Sequence, residues 1–531
     1  MMNCVFESSN LYTKIGYSYL ANKDYDSAAI WFKKAIEKDF TNDVEIYSYL
    51  AFIANEKKDY VAAWKYVDKA YRILENAKKN ADILFKCIIL ENRGDYAKRL
   101  GKMQEAIESY EQILNISPHL FDRQIAYDNL LYCLICLSDD DVVFQAHKYY
   151  RYLYKNVKKE KIYKFLVRYA HPKIKVAYIS PDFRQHVMFS FYHAMLMQYN
   201  KQNFHVTCYQ LNKESDNFTE YLKTKVDDWI YAADFSIEEL AERIHNDEID
   251  VLVDLAGHSS HSGLPVFVYR PAPIQISGVG WMETTGLNET DYFITDRFAD
   301  PVGSHNLIEK KLYLDSQLCY TARNDVPIPS GAPCLAVGHV TFGIFNNYYK
   351  FNDNILELWK EIMDRVENSV LLLKCQLYIS ESAVKMAYER FEKLGFDVNR
   401  IQFEPATNTY MNRYLDVDIA LDTYPYTGGG TTCDALYMGI PVISLYGQRR
   451  GSRFSYSILN NIGLGILTAE SGEEYVEKAV ALAENKDILD FLHKNIRSMM
   501  VKSPVMDGNL YMRQLEQQYK KILEKKYDSV R

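Results

Sequence analysis

A glycine run follows an apolar strand pattern near the C-terminus. Val417–Leu421 reads as a buried strand and Asp422–Tyr426 turns the chain. Thr427-Gly-Gly-Gly-Thr-Thr432 then leads into a helical pattern over Cys433–Gly439. Gly428, Gly429 and Gly430 carry no side chains, so the backbone there can approach an anion closely. Thr431 and Thr432 add hydroxyl donors. The unpaired amides of the first helical turn and the positive end of the helix dipole complete a phosphate-binding point that needs no metal. Asp434 lies in that first turn, poorly placed for phosphate and suited to accept from a ribose hydroxyl. The plain alternative is a capped helix after a tight turn, with Asp434 as an N-terminal charge. Three glycines and two threonines exceed what a cap requires.

Other residues with chemistry follow predicted strands. Phe345-Asn-Asn-Tyr-Tyr-Lys350 leaves the strand pattern Val340–Phe345, where Lys350 could neutralise a diphosphate and Asn347 orient it. Ser180-Pro-Asp-Phe-Arg-Gln-His186 leaves the strand pattern Ile174–Ile179 and exposes His186, a side chain that titrates near neutral pH. Asp254-Leu-Ala-Gly-His258 leaves Ile249–Leu255 in the same way. Arg270-Pro-Ala-Pro-Ile-Gln275 reads as a rigid extended passage. His245 precedes a strand, so a helix-capping histidine is its plain reading. No metal site emerges. Asp416-Val-Asp418 overlaps the entry to a buried strand, and Asp139-Asp-Asp141 reads as a solvated turn.

The elements that must position these groups alternate in type. From Ile174 onward, short apolar strands and helical segments take turns, which predicts parallel sheets covered by helices on both faces. A second series starts at Val340, so two such lobes are expected, joined around Asp325–Gly338. Ligands of such sheets bind beyond the carboxyl ends of the strands. The first third is different. Gly16, Ala28, Phe32 and Ala35 recur at one constant offset as Gly94, Ala106, Tyr110 and Ile113, with Ala63, Val67 and Ala70 as a middle copy and Pro118 closing the last unit. The offset is a little over two periods of a roughly 34-residue helix–turn–helix repeat. Helical pattern continues through Ile125–Leu137 and Val143–Tyr169. The expected division is 1–170 helical repeats, 171–330 first lobe and 331–531 second lobe.

Bulk composition sets limits. At 531 residues the chain exceeds one core, and 48% hydrophobic with 25% charged residues is ordinary globular usage. A net charge of −8 gives no reason to expect nucleic-acid binding. The nine cysteines are scattered, and Cys133-Leu-Ile-Cys136 sits in an apolar helical stretch, which favours core cysteines over a redox or zinc pair. Met1–Ser8 lacks the basic and apolar regions of a leader, and no segment is long and apolar enough to span a membrane. A cytoplasmic setting is the expectation.

Together these segments and Gly429-Gly-Thr-Thr-Cys-Asp-Ala-Leu-Tyr-Met-Gly-Ile-Pro441 resemble the O-GlcNAc transferase and SPINDLY family, glycosyltransferase family 41, in its short bacterial form. The resemblance implies an α/β GT-B fold of two Rossmann-like lobes, preceded by an all-α tetratricopeptide-repeat domain. It implies inverting transfer of a sugar, GlcNAc from UDP-GlcNAc first among the options, to Ser or Thr of a protein, with no cofactor and no metal. By the same resemblance Lys350 and Asn347 serve the diphosphate, Gly429, Gly430, Thr431 and Thr432 the phosphates, and Asp434 the ribose. His186 is the candidate base, His258 lines the acceptor or sugar pocket, and His245 matches a further active-site position. The repeats would recruit a protein acceptor such as flagellin or a surface adhesin, and are equally suited to pair with a second copy. Departures exist. Gly430 stands where the animal enzymes carry histidine, and Thr407 and Tyr410 replace a lysine and a histidine near the base-binding loop. GDP-fucose and UDP-glucose therefore stay open as donors, and a non-catalytic repeat scaffold is the third reading.

Overall fold

The computed structural model describes residues 11–38, 43–76, 82–137, 140–157, 159–323 and 326–528. The readings of Met1–Ser8, Cys4, Asp139 and the start of the linker at Asp325 lie outside them. Eight helices open the chain: α1 (Leu11–Ala21), α2 (Tyr25–Glu37), α3 (Val44–Glu56), α4 (Tyr60–Asn76), α5 (Ile83–Arg99), α6 (Met103–Ile116), α7 (Leu120–Leu137) and α8 (Asp140–Tyr149). The repeat signature has a steric cause. A Cβ on Gly16 would stand 2.7 Å from Phe32, and one on Gly94 would stand 2.6 Å from Tyr110. Each glycine clears space for the aromatic ring of the partner helix.

The helix expected over Val143–Tyr169 ends early. After α8 only short 3-10 turns remain, and 162–173 form neither helix nor strand. Here the chain docks on the first lobe, with the Tyr163 amide donating to the Tyr269 carbonyl at 3.0 Å. Tertiary contact replaces the helical ladder.

The first lobe is a seven-stranded parallel sheet: β1 (Ile174–Ser180), β2 (Phe204–Gln210), β3 (Asp228–Tyr231), β4 (Val251–Asp254), β5 (Ile274–Ser277), β6 (Tyr292–Thr295) and β7 (Lys310–Tyr313), in the order 3-2-1-4-5-6-7. The second has six: β8 (Thr341–Ile344), β9 (Val370–Cys375), β10 (Ile401–Pro405), β11 (Ile419–Leu421), β12 (Val442–Leu445) and β13 (Thr468–Ala469), in the order 10-9-8-11-12-13. Every residue of β4, β5, β8 and β12 is buried, as in sheets covered on both faces. The two-lobe, helix-first architecture is therefore the one expected. The last helix, Gly508–Asp528, returns to the first lobe instead of staying with the second. Glu516 accepts from the Asn200 amide at 2.6 Å, and Tyr519 packs on Phe204.

Cys133 and Cys136 are buried and free, as read from the sequence. Asp418 accepts from the amides of Cys334 and Thr341, each at 2.8 Å, so this carboxylate organises the lobe's core. Among the described residues no helix is long and apolar enough to cross a membrane.

Candidate active site

The glycine loop is built around a buried carboxylate. Asp422, just past β11, accepts through Oδ1 from the amides of Thr423 (2.9 Å) and Gly428 (2.8 Å), and through Oδ2 from Ser444 Oγ (2.8 Å). A Cβ on Gly428 would stand 2.4 Å from Thr432 Oγ1, so the loop closes only with glycine there. The helix Gly430–Tyr437 starts without a side-chain cap at Gly429. Its first-turn amides, on Gly430, Thr431 and Thr432, are the donors that an α-helix leaves unpaired. Thr432 Oγ1 and Ser455 Oγ bond at 2.8 Å, which fixes the helix start to the next element.

Lys350 faces this loop. Its Nζ donates to the Thr427 carbonyl at 3.1 Å and sits 3.6 Å from the centroid of the Tyr426 ring. Burial pulls its pKa down to about 8, against the opposing pull of the Asp422 carboxylate. A buried ammonium with one carbonyl and a ring face for partners keeps donors to spare for an anion.

Asn347 does not join it. Its side chain is exposed and donates to Tyr349 Oη at 3.2 Å. The preceding residue points inward: Asn346 is buried and accepts from Thr431 Oγ1 at 3.1 Å. Asn346 follows β8 with only Phe345 between, while Asn347 opens the 3-10 turn Tyr348–Lys350 with its side chain toward solvent.

Asp434 is buried between two phenols. It accepts from Tyr320 Oη at 2.6 Å and from Tyr410 Oη. Burial raises its pKa, and both phenols oppose the shift. Tyr320 comes from the segment leading out of the first lobe. Its own amide donates to Val505 at 2.7 Å, and the next amide, on Thr321, donates to Ser190 at 2.7 Å. The candidate ribose carboxylate is therefore tied to the junction between the lobes. Tyr320 carried no signal in the sequence, being one tyrosine among 44.

Across the cleft, the loop after β1 carries His186. A Cβ on Gly430 would lie 3.0 Å from a methyl of Val187, so the two loops touch. His186 Nδ1 stands 3.5 Å from the Asp182 carboxylate. Burial lowers the histidine's pKa and raises that of Asp182, while each partner opposes the other's shift.

The other two histidines are elsewhere. His258 is fully buried beneath the repeats. Its Nδ1 faces Asp128 Oδ1 at 2.8 Å, and its Nε2 donates to the Thr285 carbonyl at 2.9 Å. Both ring nitrogens are engaged, so it does not line a pocket; it is a seam between α7 and the first lobe. His245 ends the helix Ile237–Asn246, which runs back to the amino end of the sheet. There it stacks on Tyr163 with centroids 3.9 Å apart, at the wrong end of the strands for the cleft.

The comparisons with known proteins bear on the family and the fold. The model of glycosyl transferase family 41 matches residues 151–321 and 314–515, and that of the tetratricopeptide repeat matches 9–42 and 89–120. The rice (Oryza sativa subsp. japonica) protein named "Probable UDP-N-acetylglucosamine--peptide N-acetylglucosaminyltransferase SPINDLY" is 33% identical over 434 residues, covering 78% of this chain and 46% of its own length. The Arabidopsis thaliana protein named SEC, under the same activity, is 29% identical over 367 residues, 66% of this chain and 37% of its own length. The chain thus spans about half the length of the curated relatives it matches. A solved mutant O-GlcNAc transferase of Thermobaculum terrenum superimposes with a TM-score of 0.84 at 23% identity, covering 98% of both chains, and shows a shared fold.

Proposed function

Because the chain belongs to glycosyltransferase family 41, we propose that it transfers a sugar from a nucleotide diphosphate to serine or threonine of a protein, with UDP-GlcNAc the first candidate donor. The observation that carries this reading is Lys350, a buried ammonium held 3.1 Å from Thr427 beside an uncapped helix start. That pairing suits a departing diphosphate without a divalent ion. The acceptor hydroxyl attacks the anomeric carbon from the face opposite the diphosphate, which inverts that centre. Its proton passes to His186, and Asp182 at 3.5 Å stabilises the resulting imidazolium. The Asn346–Thr431 bond holds the loop, and Asp434 receives the ribose. The repeats recruit the acceptor protein, and the setting is cytoplasmic.

Intact-mass analysis of candidate clients co-expressed with the chain tests this directly. A HexNAc increment on a hydroxyl residue that survives EDTA and vanishes in Lys350→Ala is the expected result. Unchanged transfer by Lys350→Ala at saturating and limiting donor would overturn the reading, and a requirement for magnesium or manganese would overturn its metal-free chemistry.

One observation favours a second donor. Tyr410, which stands in place of a family histidine, is bonded to Asp434, and Gly430 leaves the corresponding position without a side chain. The base pocket therefore differs from that of the animal enzymes, and GDP-fucose or UDP-glucose is the alternative. Thermal shifts with UDP and GDP separate the bases, since a ligand at a hundred times its Kd stabilises by about 2.7 kcal/mol. A deoxyhexose or hexose increment on the client would identify the sugar.

A further inference from the structure

The helix α7 presents one face to the catalytic lobes. Asp128, Tyr132 and Ile135 follow the i, i+4, i+7 spacing of a single stripe. Asp128 holds His258 of the first lobe, and the Ile135 carbonyl accepts from Arg449 of the second at 3.1 Å. Tyr132 lies between these two anchors, half-buried.

Its ring touches both neighbours of the candidate diphosphate ligand. The Tyr132 ring stands edge-on to Tyr349 (centroids 6.1 Å, 82°) and to Tyr426 (6.2 Å, 69°). Tyr349 is the residue immediately before Lys350. Tyr426 is the ring on which the Lys350 ammonium rests at 3.6 Å. Trp281 closes the other side of Tyr132 at 5.3 Å. One side chain from the repeats therefore fixes both the backbone neighbour of Lys350 and the surface under its charge.

We propose that Tyr132 is a positioning residue of the nucleotide site, so that the docking of the repeats sets the affinity for the donor diphosphate. The inference rests on the reading of Lys350 as the diphosphate ligand. A long side chain such as lysine loses rotamer freedom when it is held in one place. A site that holds it ready before the ligand arrives binds more tightly than one that must order it. Without the Tyr132 ring, Tyr426 and Tyr349 lose their common neighbour, water reaches the ammonium, and Lys350 is no longer held ready. Anything that lifts α7 from the lobes does the same. The repeats thereby gain a role in donor binding beside the recruitment of acceptor.

Calorimetric titration of the full chain with UDP and with GDP tests this. The variants are Lys350→Ala, Tyr132→Ala, Tyr132→Phe and Arg151→Ala. The last breaks a repeat–lobe ion pair to Glu289 (2.9 Å) away from the cleft. Lys350→Ala should lose binding. Tyr132→Ala should weaken the better-bound nucleotide about tenfold, in line with the loss of aromatic pairs. Tyr132→Phe should stay within about twofold, because the ring contacts survive. Arg151→Ala should bind like the wild type, which separates positioning from a general loosening of the repeats. The alkaline limb of binding should also move to higher pH in Tyr132→Ala, because a wetter ammonium holds its proton longer. Should Tyr132→Ala not fold, Tyr132→Leu replaces it. Wild-type affinity and an unmoved alkaline limb in the Tyr132 variants, with binding lost in Lys350→Ala, would overturn this inference and leave the diphosphate reading standing. Wild-type affinity in Lys350→Ala would overturn that reading itself.

Discussion

Arg450 of the second lobe and Asp300 of the first form an ion pair at 2.9 Å in which neither side chain is more than 1% exposed. The guanidinium also donates to Gln317 Oε1 at 2.7 Å and lies 4.6 Å from the Phe293 ring. A neighbouring arginine, Arg449, reaches Asp140 of the repeats and Glu283 of the first lobe. Two consecutive arginines thus tie all three parts of the chain together. Breaking a buried pair on one side leaves an uncompensated charge, which costs about 3–5 kcal/mol. Asp300→Ala should therefore lower the unfolding free energy by that amount, read as a fall in the urea midpoint at unchanged m-value. The double variant Asp300→Leu/Arg450→Met should recover much of the loss. Equal midpoints for wild type and Asp300→Ala would show that the pair is not buried in solution.

Nucleotide binding should weaken with rising pH. The Lys350 pKa lies at about 8 against an ordinary value of 10.5, with burial the main cause. Below about pH 8 the ammonium is present and can meet the diphosphate; above it, the free protein must first take up a proton. The Kd should then rise about tenfold per pH unit until the pKa of the bound form is reached. Lys350→Ala should bind too weakly at any pH to show such a limb. For folding alone the sign is opposite. The unfolded lysine keeps its proton to about pH 10.4, so this group adds stability as pH rises through that window. A wild-type Kd that stays flat between pH 7 and 9.5 would contradict the assignment.

Much of this site was legible because its chemistry is carried by backbone. The glycine loop, its threonines and Lys350 all sit just past strand ends, and strand ends can be found from apolar runs. What was not legible depends on contacts between distant segments. Tyr320, more than a hundred positions before Asp434, reaches it only through the lobe junction. Asn346 and Asn347 are indistinguishable by type, and only the turn that Asn347 opens and the Thr431 contact decide which faces inward. His258 follows a strand just as His186 does, yet α7 covers it. β3, β6, β7 and β13 are at least as short as β4 and β8, but lack the longer apolar runs, Ile249–Leu255 and Val340–Phe345, within which those two strands were legible.

Asp434 should discriminate the sugar end of the nucleotide from its phosphates. Its carboxylate already accepts from Tyr320 and Tyr410, which fix its orientation and leave lone pairs for further donors. Asp434→Ala removes the acceptor and leaves two phenols without a partner. Affinity for UDP or GDP should fall about 10- to 100-fold, the range for a lost hydrogen bond to a charged group. Binding of inorganic pyrophosphate should not change. Tyr410→Phe should cost less than Asp434→Ala and should alter the ratio of UDP to GDP affinity. Calorimetry with the three ligands checks both statements. A parallel loss for pyrophosphate would show that Asp434 supports the whole loop instead of the ribose.

His258 should govern stability rather than chemistry, with a pH dependence that its geometry dictates. The Thr285 carbonyl only accepts, so Nε2 carries a hydrogen. A second proton must then lie between Nδ1 and the Asp128 carboxyl at 2.8 Å. The folded pair therefore holds one proton more than aspartate and neutral imidazole hold apart. Burial raises the Asp128 pKa well above its usual range and lowers that of His258 to about 3, which places this proton on the carboxyl. In the unfolded chain the pair binds that one extra proton only between about pH 3.9 and 6.5, the ordinary values of the two groups. Above 6.5 the folded state binds more protons than the unfolded, so the pair's contribution to stability falls as pH rises. Below 3.9 the unfolded state binds more, and stability falls again. Asp128→Asn can still donate to Nδ1 and carries no titrating proton. Its melting temperature should lack the decline that wild type shows between pH 6.5 and 8.5, while its nucleotide affinity matches wild type. Identical slopes in the two proteins would mean that no proton is shared across this seam.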